Sequence, residues 1–356
     1  MLGCWALSIM KGDNILGMNI RSSTIRNYIK AAAKLYTARH LDDPFESPAL
    51  ETNYPAVLIK ALTAYESIPN RREIICDAML EHIERLARQA PQDSLLASFF
   101  DWLAWSRYSG PRRGEWCQTR KTKFDTVENG PPGEPQAFRL DDISFYDADG
   151  REVPLHSDNW HKVKYASVRW RFQKNNENGE TIKYYEDEIN VRWCPCSALW
   201  NIALRAIRLG IPANEPIAQH LTNKGDRHFI TDKDVKSILQ DAAKRALGIT
   251  DRNVLARWTC HSLRVTAANE LHRLGFSDLY IKLRLRWKSD AFMKYLRHTI
   301  HVARNHTKAL SLSKANLELQ KSNLDSMNSK FKGLQVYREP SIDDILWEKN
   351  FYAAAA

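Results

Sequence analysis

The sequence predicts a mainly α fold with one small antiparallel β-sheet, arranged in two domains and a tail. Apolar residues recur at helical spacing over most of the 356 residues. Between residues 138 and 191, β-branched and aromatic residues mix instead with polar ones, which is typical of strands. The break at Ala90-Pro91-Gln92 favours a domain boundary. We therefore expect a helical domain over residues 1–91, a mixed domain over 92–305 and a helical tail over 306–356.

The first domain is predicted to contain three helices, over residues 23–40, 56–67 and 72–88. In the first of them, Ile25 and Ile29 belong to one apolar face, and Ser22 or Ser23 can cap its start. Basic residues lie mostly off that face, and those that we single out are Arg26, Lys30 and Lys34. Their positions fit contact with phosphates and fit a solvated polar face equally well.

The second domain is predicted to begin with a strongly apolar helix that ends at Gly110-Pro111. Strands follow over residues 138–146, 162–173 and 181–191. The Asn- and Gly-rich stretch 174–180 predicts a hairpin turn between the last two. Helices are expected again over residues 196–209, 232–247, 262–274, 277–285 and 290–300.

The composition indicates an anionic partner, because the formal charge is +10 at pH 7 and nucleic acid is the commonest such partner. Six scattered cysteines give no disulfide framework, so we expect reduced thiols inside a cell. Cys194-Pro-Cys196 lacks the spacing and the second pair of a structural zinc site. No apolar run approaches the ~20 residues of a membrane span, and the first residues do not form a secretory signal.

Four motifs carry the residues that point to chemistry. They are Gly110-Pro-Arg112-Arg113-Gly-Glu115, His261-Ser-Leu-Arg264, Arg286-Trp287 and Ala291-Phe-Met-Lys-Tyr295-Leu-Arg297. His261 and Arg264 are three residues apart and share a helix face, where a guanidinium can hold two phosphate oxygens. Tyr295 has basic neighbours, as a nucleophilic tyrosine requires. Taken singly, each motif also fits a surface ion pair or a packing residue.

Taken in this order, the motifs resemble the tyrosine recombinase, or phage integrase, family over residues 20–305. The form Arg-Trp-x-Ser-x-Ala-Phe-x-x-Tyr is most similar to eukaryotic Crypton- and DIRS-type transposon recombinases. The resemblance implies a helical core-binding domain and a catalytic domain of the DNA breaking-rejoining fold, clamped together on double-stranded DNA. It also implies a tetramer on DNA, no metal or other cofactor, and location in the nucleus if the host is eukaryotic.

The resemblance implies that a tyrosine attacks one DNA strand, leaving a 3′-phosphotyrosyl link and a free 5′ hydroxyl that later reseals a strand. The implied catalytic residues are Arg112, Lys174, His261, Arg264, Trp287 and the nucleophile Tyr295, with Glu115 in support. Lys183 is the alternative to Lys174 as general acid, and Arg113 competes with Arg112. Additional DNA contacts are expected from Arg113, Lys294 and Arg297. A non-catalytic DNA-binding relative and a monomeric type IB topoisomerase-like enzyme remain alternatives.

Overall fold

The structure is a computed structural model that describes residues 8, 20–39, 54–64, 71–127, 131–173, 178–289, 292–293, 295–296, 307–308 and 311. Contacts divide the chain into two compact units, Met1–Arg71 and Arg72–Ala356. Within the described ranges, no helix is long and apolar enough to cross a bilayer.

The first unit contains helices α1 (Ser22–Thr37) and α2 (Tyr54–Ala64), close to two of the predicted helices. The apolar face of α1 is buried through Ile25 and Ile29, as its periodicity predicted. The hydroxyls of Ser22 and Thr63 are 2.8 Å apart and join the two helices. Three exposed cations lie along α1, namely Arg26, Lys30 and Lys34.

The second unit combines helices with two small antiparallel sheets, in agreement with the predicted fold class. Its helices are α3 (Asp77–Gln89), α4 (Leu95–Ser109), α5 (Arg113–Trp116), α6 (Pro195–Arg208), α7 (Asp232–Leu247), α8 (Arg252–Leu255), α9 (Cys260–Arg273) and α10 (Asp278–Arg284). Its strands are β1 (Ile143–Tyr146), β2 (Tyr165–Trp170), β3 (Glu180–Tyr185), β4 (Gln219–Leu221) and β5 (Arg227–Phe229), with short 3-10 helices at Leu140–Asp142 and Ser157–Lys162.

Strands β1, β2 and β3 form one antiparallel sheet in chain order, with Ala166 facing Phe145 on one side and Tyr184 on the other. All three strands are shorter than the predicted ones. Strands β4 and β5 form a separate two-stranded sheet that the sequence did not predict. Each has only three residues, which is too short for a recognisable alternation.

The boundary between the two units lies at Arg71 and Arg72, whereas we predicted a domain boundary near residue 91. The difference arises because α3 packs against α4 and α7 and buries Met79 and Ile83 there. Pro91 only turns the chain between two helices of the same unit, where its carbonyl accepts a hydrogen bond from the Ser94 amide.

An aromatic cluster fastens α4 to the three-stranded sheet. The ring of Trp105 on α4 stacks on that of Trp170 on β2, with centroids 5.6 Å apart. Trp105 also meets Tyr184 on β3 edge to face, at 5.9 Å. All three side chains are almost fully buried. The sheet therefore lies against the helix that leads into the first arginine motif.

Of the helix predicted over residues 290–300, the structure describes only 292–293 and 295–296, where the Tyr295 amide donates to the Phe292 carbonyl in a tight turn. Lys294 and Arg297 lie outside the described residues, as does Lys174. In the tail predicted over 306–356, only residues 307, 308 and 311 are described.

Candidate active site

Gly110 ends α4 and lets two chain segments meet. Its φ is +50°, a conformation that glycine adopts without penalty. A Cβ atom here would lie 3.2 Å from Leu285 Cδ2 and 3.3 Å from Ala267 Cβ, so a larger residue would push both neighbours away. The Gly110 carbonyl accepts a 2.5 Å hydrogen bond from Arg264 Nη1. This close approach joins the segment that carries Arg112 to α9.

Arg112 and Glu115 hold each other across the first turn of α5. The Arg112 amide donates to Glu115 Oε2 at 2.6 Å, and Arg112 Nη1 donates to Oε1 at 2.9 Å. The Glu115 carboxylate is 5% exposed, so this pair is far less screened than a surface ion pair. The three-residue spacing in the sequence predicted this orientation.

Arg264 is held almost entirely by backbone carbonyls. The residue is 2% exposed and projects from α9, and its Nη2 donates to the Leu285 carbonyl at 2.6 Å. The carbonyl of Arg286 accepts from Arg112 Nη2 at 3.0 Å and from Arg264 Nη2 at 3.5 Å. The two guanidiniums named by the sequence motifs therefore converge on one carbonyl oxygen.

Arg286 supplies a third guanidinium, itself buried, which belongs to one of the sequence motifs but was assigned no role. Its Nη2 donates to Glu115 at 3.2 Å, its Nη1 donates to the Ser109 carbonyl at 3.2 Å, and its Cζ lies 3.1 Å from the centre of the Trp170 ring. Its φ is +57°, which costs a non-glycine residue roughly 1–2 kcal/mol. In the sequence, the signal at this position came from the adjacent Trp287, with which Arg286 forms one motif.

These side chains form a guanidinium cluster, composed of Arg112, Arg264, Arg286 and Glu115, with three positive charges against one negative charge. Burial lowers the pKa of Arg264 to about 9, and the charge of Arg112 acts in the same direction. Burial likewise lowers the pKa of Arg286. Arg264 therefore remains charged at neutral pH, and an anion bound at the cluster would offset the excess charge.

Three rings surround the cluster on the side of the last motif. The Tyr295 ring lies 4.9 Å from the His261 ring and 5.3 Å from the Trp287 ring, centroid to centroid. The Trp287 ring also lies 4.3 Å from Arg264 Cζ. Asn269 Nδ2 donates to the Tyr295 carbonyl at 2.8 Å and fixes the backbone there. Asn269 was not predicted, since an asparagine inside a helix carries no distinctive signal.

The histidine of this group is held in its neutral form. Burial lowers the pKa of His261 to about 4, and the charges of Arg264 and Arg72 act in the same direction. Arg72 is a third residue, after Arg286 and Asn269, to which the sequence assigned no role. At neutral pH the imidazole is therefore uncharged and has a nitrogen that can accept a hydrogen bond, while the same shift makes it a weaker base than a free imidazole.

The indole N–H of Trp287 is a buried hydrogen-bond donor close to the Arg264 guanidinium. Its Nε1 atom is buried and has no hydrogen-bond partner in the described part of the chain. The indole nitrogens of Trp105, Trp116 and Trp170 are likewise buried without a partner among the described residues, so the free donor of Trp287 does not by itself identify a ligand.

Arg113 and the alternative lysine, Lys183, make no described contact with the guanidinium cluster. Arg113 is exposed and lies 3.8 Å from Asp125. Lys183 is exposed on β3, with its Nζ 4.7 Å from the Tyr165 ring. Its neighbours Ile182 and Tyr184 are buried, and successive residues of a strand point to opposite faces. Lys183 therefore lies on the face of the sheet away from Tyr184 and the core.

The described residues contain no group of three or more His, Cys, Asp or Glu side chains placed to hold a metal ion.

No protein-family model matches the sequence, and a search of curated proteins gives no match. Among solved structures, the chain is similar to the Tn1549 transposon integrase in complex with transposon right end DNA, at 14% identity and a TM-score of 0.46, over 87% of this chain and 84% of that chain. It is also similar to the XerA recombinase, at 14% identity and a TM-score of 0.38, over 86% of this chain and 98% of that chain.

Proposed function

We propose that this chain is a DNA strand transferase of the tyrosine recombinase type, which cleaves and rejoins DNA for a mobile element of the Crypton or DIRS kind. One observation carries the proposal. Arg112 and Arg264 converge on the Arg286 carbonyl, and the Tyr295 ring stands beside the rings of His261 and Trp287. The residues that we propose as phosphate ligands, nucleophile and base therefore lie close together, which supports the proposal.

In the proposed reaction, the Tyr295 hydroxyl oxygen bonds to the phosphorus of one DNA strand while the bond to the 5′ oxygen breaks. Neutral His261 takes the phenolic proton. Arg112 and Arg264 hold the non-bridging oxygens, and Trp287 Nε1 donates to one of them. Losing one such donor costs about 3–4 kcal/mol of barrier. The energy of the broken bond is kept in the phosphotyrosyl link, which a 5′ hydroxyl attacks in the reverse step.

The positions of Tyr295 and Arg264 agree with these roles, since Tyr295 acts electrostatically on Arg264 in the direction that favours the charged guanidinium.

Covalent trapping tests the proposal. The substrate is a nicked suicide duplex whose sequence is first selected by binding from a random library. The wild type should give a protein–DNA adduct, and Tyr295→Phe should give none. Tyr280→Phe is the matched control, because Tyr280 is exposed on α10 and should leave the adduct unchanged. DNA binding without an adduct would favour the non-catalytic alternative.

Lys174 is proposed as the acid that protonates the leaving 5′ oxygen. A 5′-phosphorothiolate leaving group needs no proton, so Lys174→Ala should cleave that substrate at the wild-type rate and the ordinary substrate slowly. If Lys183→Ala behaves this way and Lys174→Ala does not, the role belongs to Lys183.

The proposed assembly is a tetramer on double-stranded DNA, with the basic face of α1 on phosphates. Replacing Arg26, Lys30 and Lys34 with alanine should flatten the log–log dependence of binding on salt by about 0.9 for each lost contact. An unchanged slope would mean that this face is only solvated. Light scattering of the DNA complex separates a tetramer from a monomeric topoisomerase-like enzyme.

A further inference from the structure

A basic cleft opens beside the guanidinium cluster, with a volume of about 1020 Å³. Arg112 lines it, together with three further cations, Arg113, Arg120 and Lys123. All three are exposed. The cleft is as large as the roomier pockets that hold small ligands, which span about 300–1,000 Å³.

The charge of the cleft is positive. Two carboxylates line it, those of Glu115 and Asp125, and both already have partners. Glu115 belongs to the guanidinium cluster, and Asp125 accepts from the Thr119 amide at 3.1 Å and lies 3.8 Å from Arg113. Their cationic partners are Arg112 and Arg113. Four cations against two carboxylates therefore leave a net charge of +2, carried by Arg120 and Lys123, and this favours an anion over a neutral ligand.

Two phenylalanines in the lining narrow the choice of anion. Phe124 and Phe172 are half-buried and line the cleft. Phe124 is held from one side by Phe229, edge to face at 6.1 Å. Aromatic rings set among cations are the usual platform for unpaired bases. In a duplex the bases are stacked on one another, so these rings could not reach them.

We propose that this cleft binds an unpaired stretch of DNA strand, with its phosphates on Arg113, Arg120 and Lys123 and a base on Phe124 or Phe172. This inference rests on the proposed function, since cleavage of a DNA strand whose phosphate is held by Arg112 would release an end with a free 5′ hydroxyl. The cleft would hold that strand next to the site while it exchanges partners. Chain position supports this, because the Arg112–Glu115 segment and the Arg120–Lys123 segment are joined by only a few residues.

The test uses the full chain and two probes. One is a short oligothymidylate with a single 2-aminopurine, whose fluorescence falls when the base stacks on an aromatic ring. The other is a mixed-sequence duplex. Phe172→Leu and Phe124→Leu keep an apolar side chain and remove the stacking surface. Phe276→Leu is the matched control, because Phe276 is exposed outside the cleft and stacks on Tyr280.

We expect the wild type to quench the 2-aminopurine, and at least one cleft variant to lose roughly 5- to 150-fold in single-strand affinity, the effect of losing one base–aromatic stack. Duplex binding and the Phe276→Leu control should not change. Unaltered quenching and single-strand affinity in both cleft variants, or equal losses for single strand and duplex, would overturn the inference.

Adduct formation on the suicide duplex, measured with the same preparations, separates the two proposals. An adduct without single-strand quenching means that the cleft inference fails and the proposed chemistry stands. Quenching that depends on Phe124 or Phe172, without any adduct, means that the chemistry fails and the cleft still binds an unpaired strand.

Discussion

Glu115 is the position where a single uncharged substitution tests the whole guanidinium cluster. Its carboxylate accepts from the Arg112 amide, from Arg112 Nη1 and from Arg286 Nη2, at 2.6, 2.9 and 3.2 Å. Glu115→Gln keeps the shape of the side chain. However, the amide nitrogen of glutamine is a donor and would face another donor, so at least one of these bonds is lost.

The expected cost follows from burial. Glu115 is 5% exposed and the Arg286 side chain is fully buried. Removing one partner of a buried ion pair leaves an uncompensated charge and costs about 3–5 kcal/mol. The free energy of unfolding of an ordinary domain is about 5–15 kcal/mol, so this loss is a large part of the total. Glu115→Gln should therefore unfold at a markedly lower urea concentration than the wild type. Sulfate, which can replace the missing negative charge, should stabilise the variant more than the wild type.

Urea unfolding with and without sulfate measures both effects. Asp241→Asn is the control, because it breaks the exposed Asp241–Arg245 ion pair on α7, which is worth about 0–1 kcal/mol. If Glu115→Gln lost no more stability than Asp241→Asn, the carboxylate would not hold the cluster together. If sulfate stabilised variant and wild type equally, the excess charge would lie elsewhere.

Three further outcomes are expected. The pKa of His261 falls from 6.5 to about 4 on folding, so lowering the pH through that range should remove about 3 kcal/mol of stability. Urea unfolding at the two ends of this pH range should show a smaller loss in His261→Gln than in the wild type. Gly110→Ala should be less stable than Gly210→Ala, because both have positive φ but only Gly110 has close neighbours, and equal thermal unfolding midpoints would refute this. A hydrogen bond with Cys260 and burial raise the pKa of the Cys117 thiol, so iodoacetamide should modify it only after unfolding, as peptide mass mapping would show.

The pairing of Arg112 with Glu115, and of His261 with Arg264, could be predicted because spacing along a helix fixes which side chains are neighbours. The convergence of the two pairs could not be predicted from spacing. It depends on contacts such as that between Gly110 and Arg264, which are far apart in the sequence and meet only because Gly110 takes a positive φ.

The helices were predictable in the same way, since a buried face such as Ile25 and Ile29 leaves a periodic pattern. The boundary between the units was not predictable. Pro91 indicates a turn, but a turn does not show whether α3 packs against the helices that precede it or those that follow it. The position of Lys174 stays a prediction, since it lies outside the described residues.

Arg286 shows why the site needs an arginine where the backbone would favour glycine. Glycine would adopt φ +57° without strain, and its carbonyl could still accept from Arg112 and Arg264. It would, however, leave Glu115 with Arg112 alone and uncover the Trp170 ring. A buried guanidinium that joins Glu115, the end of α4 and β2 therefore offsets roughly 1–2 kcal/mol of backbone strain. It also fixes the carbonyl that orients Arg112 and Arg264, the two arginines that we propose as phosphate ligands, and preorganised donors contribute most to stabilising a charged transition state.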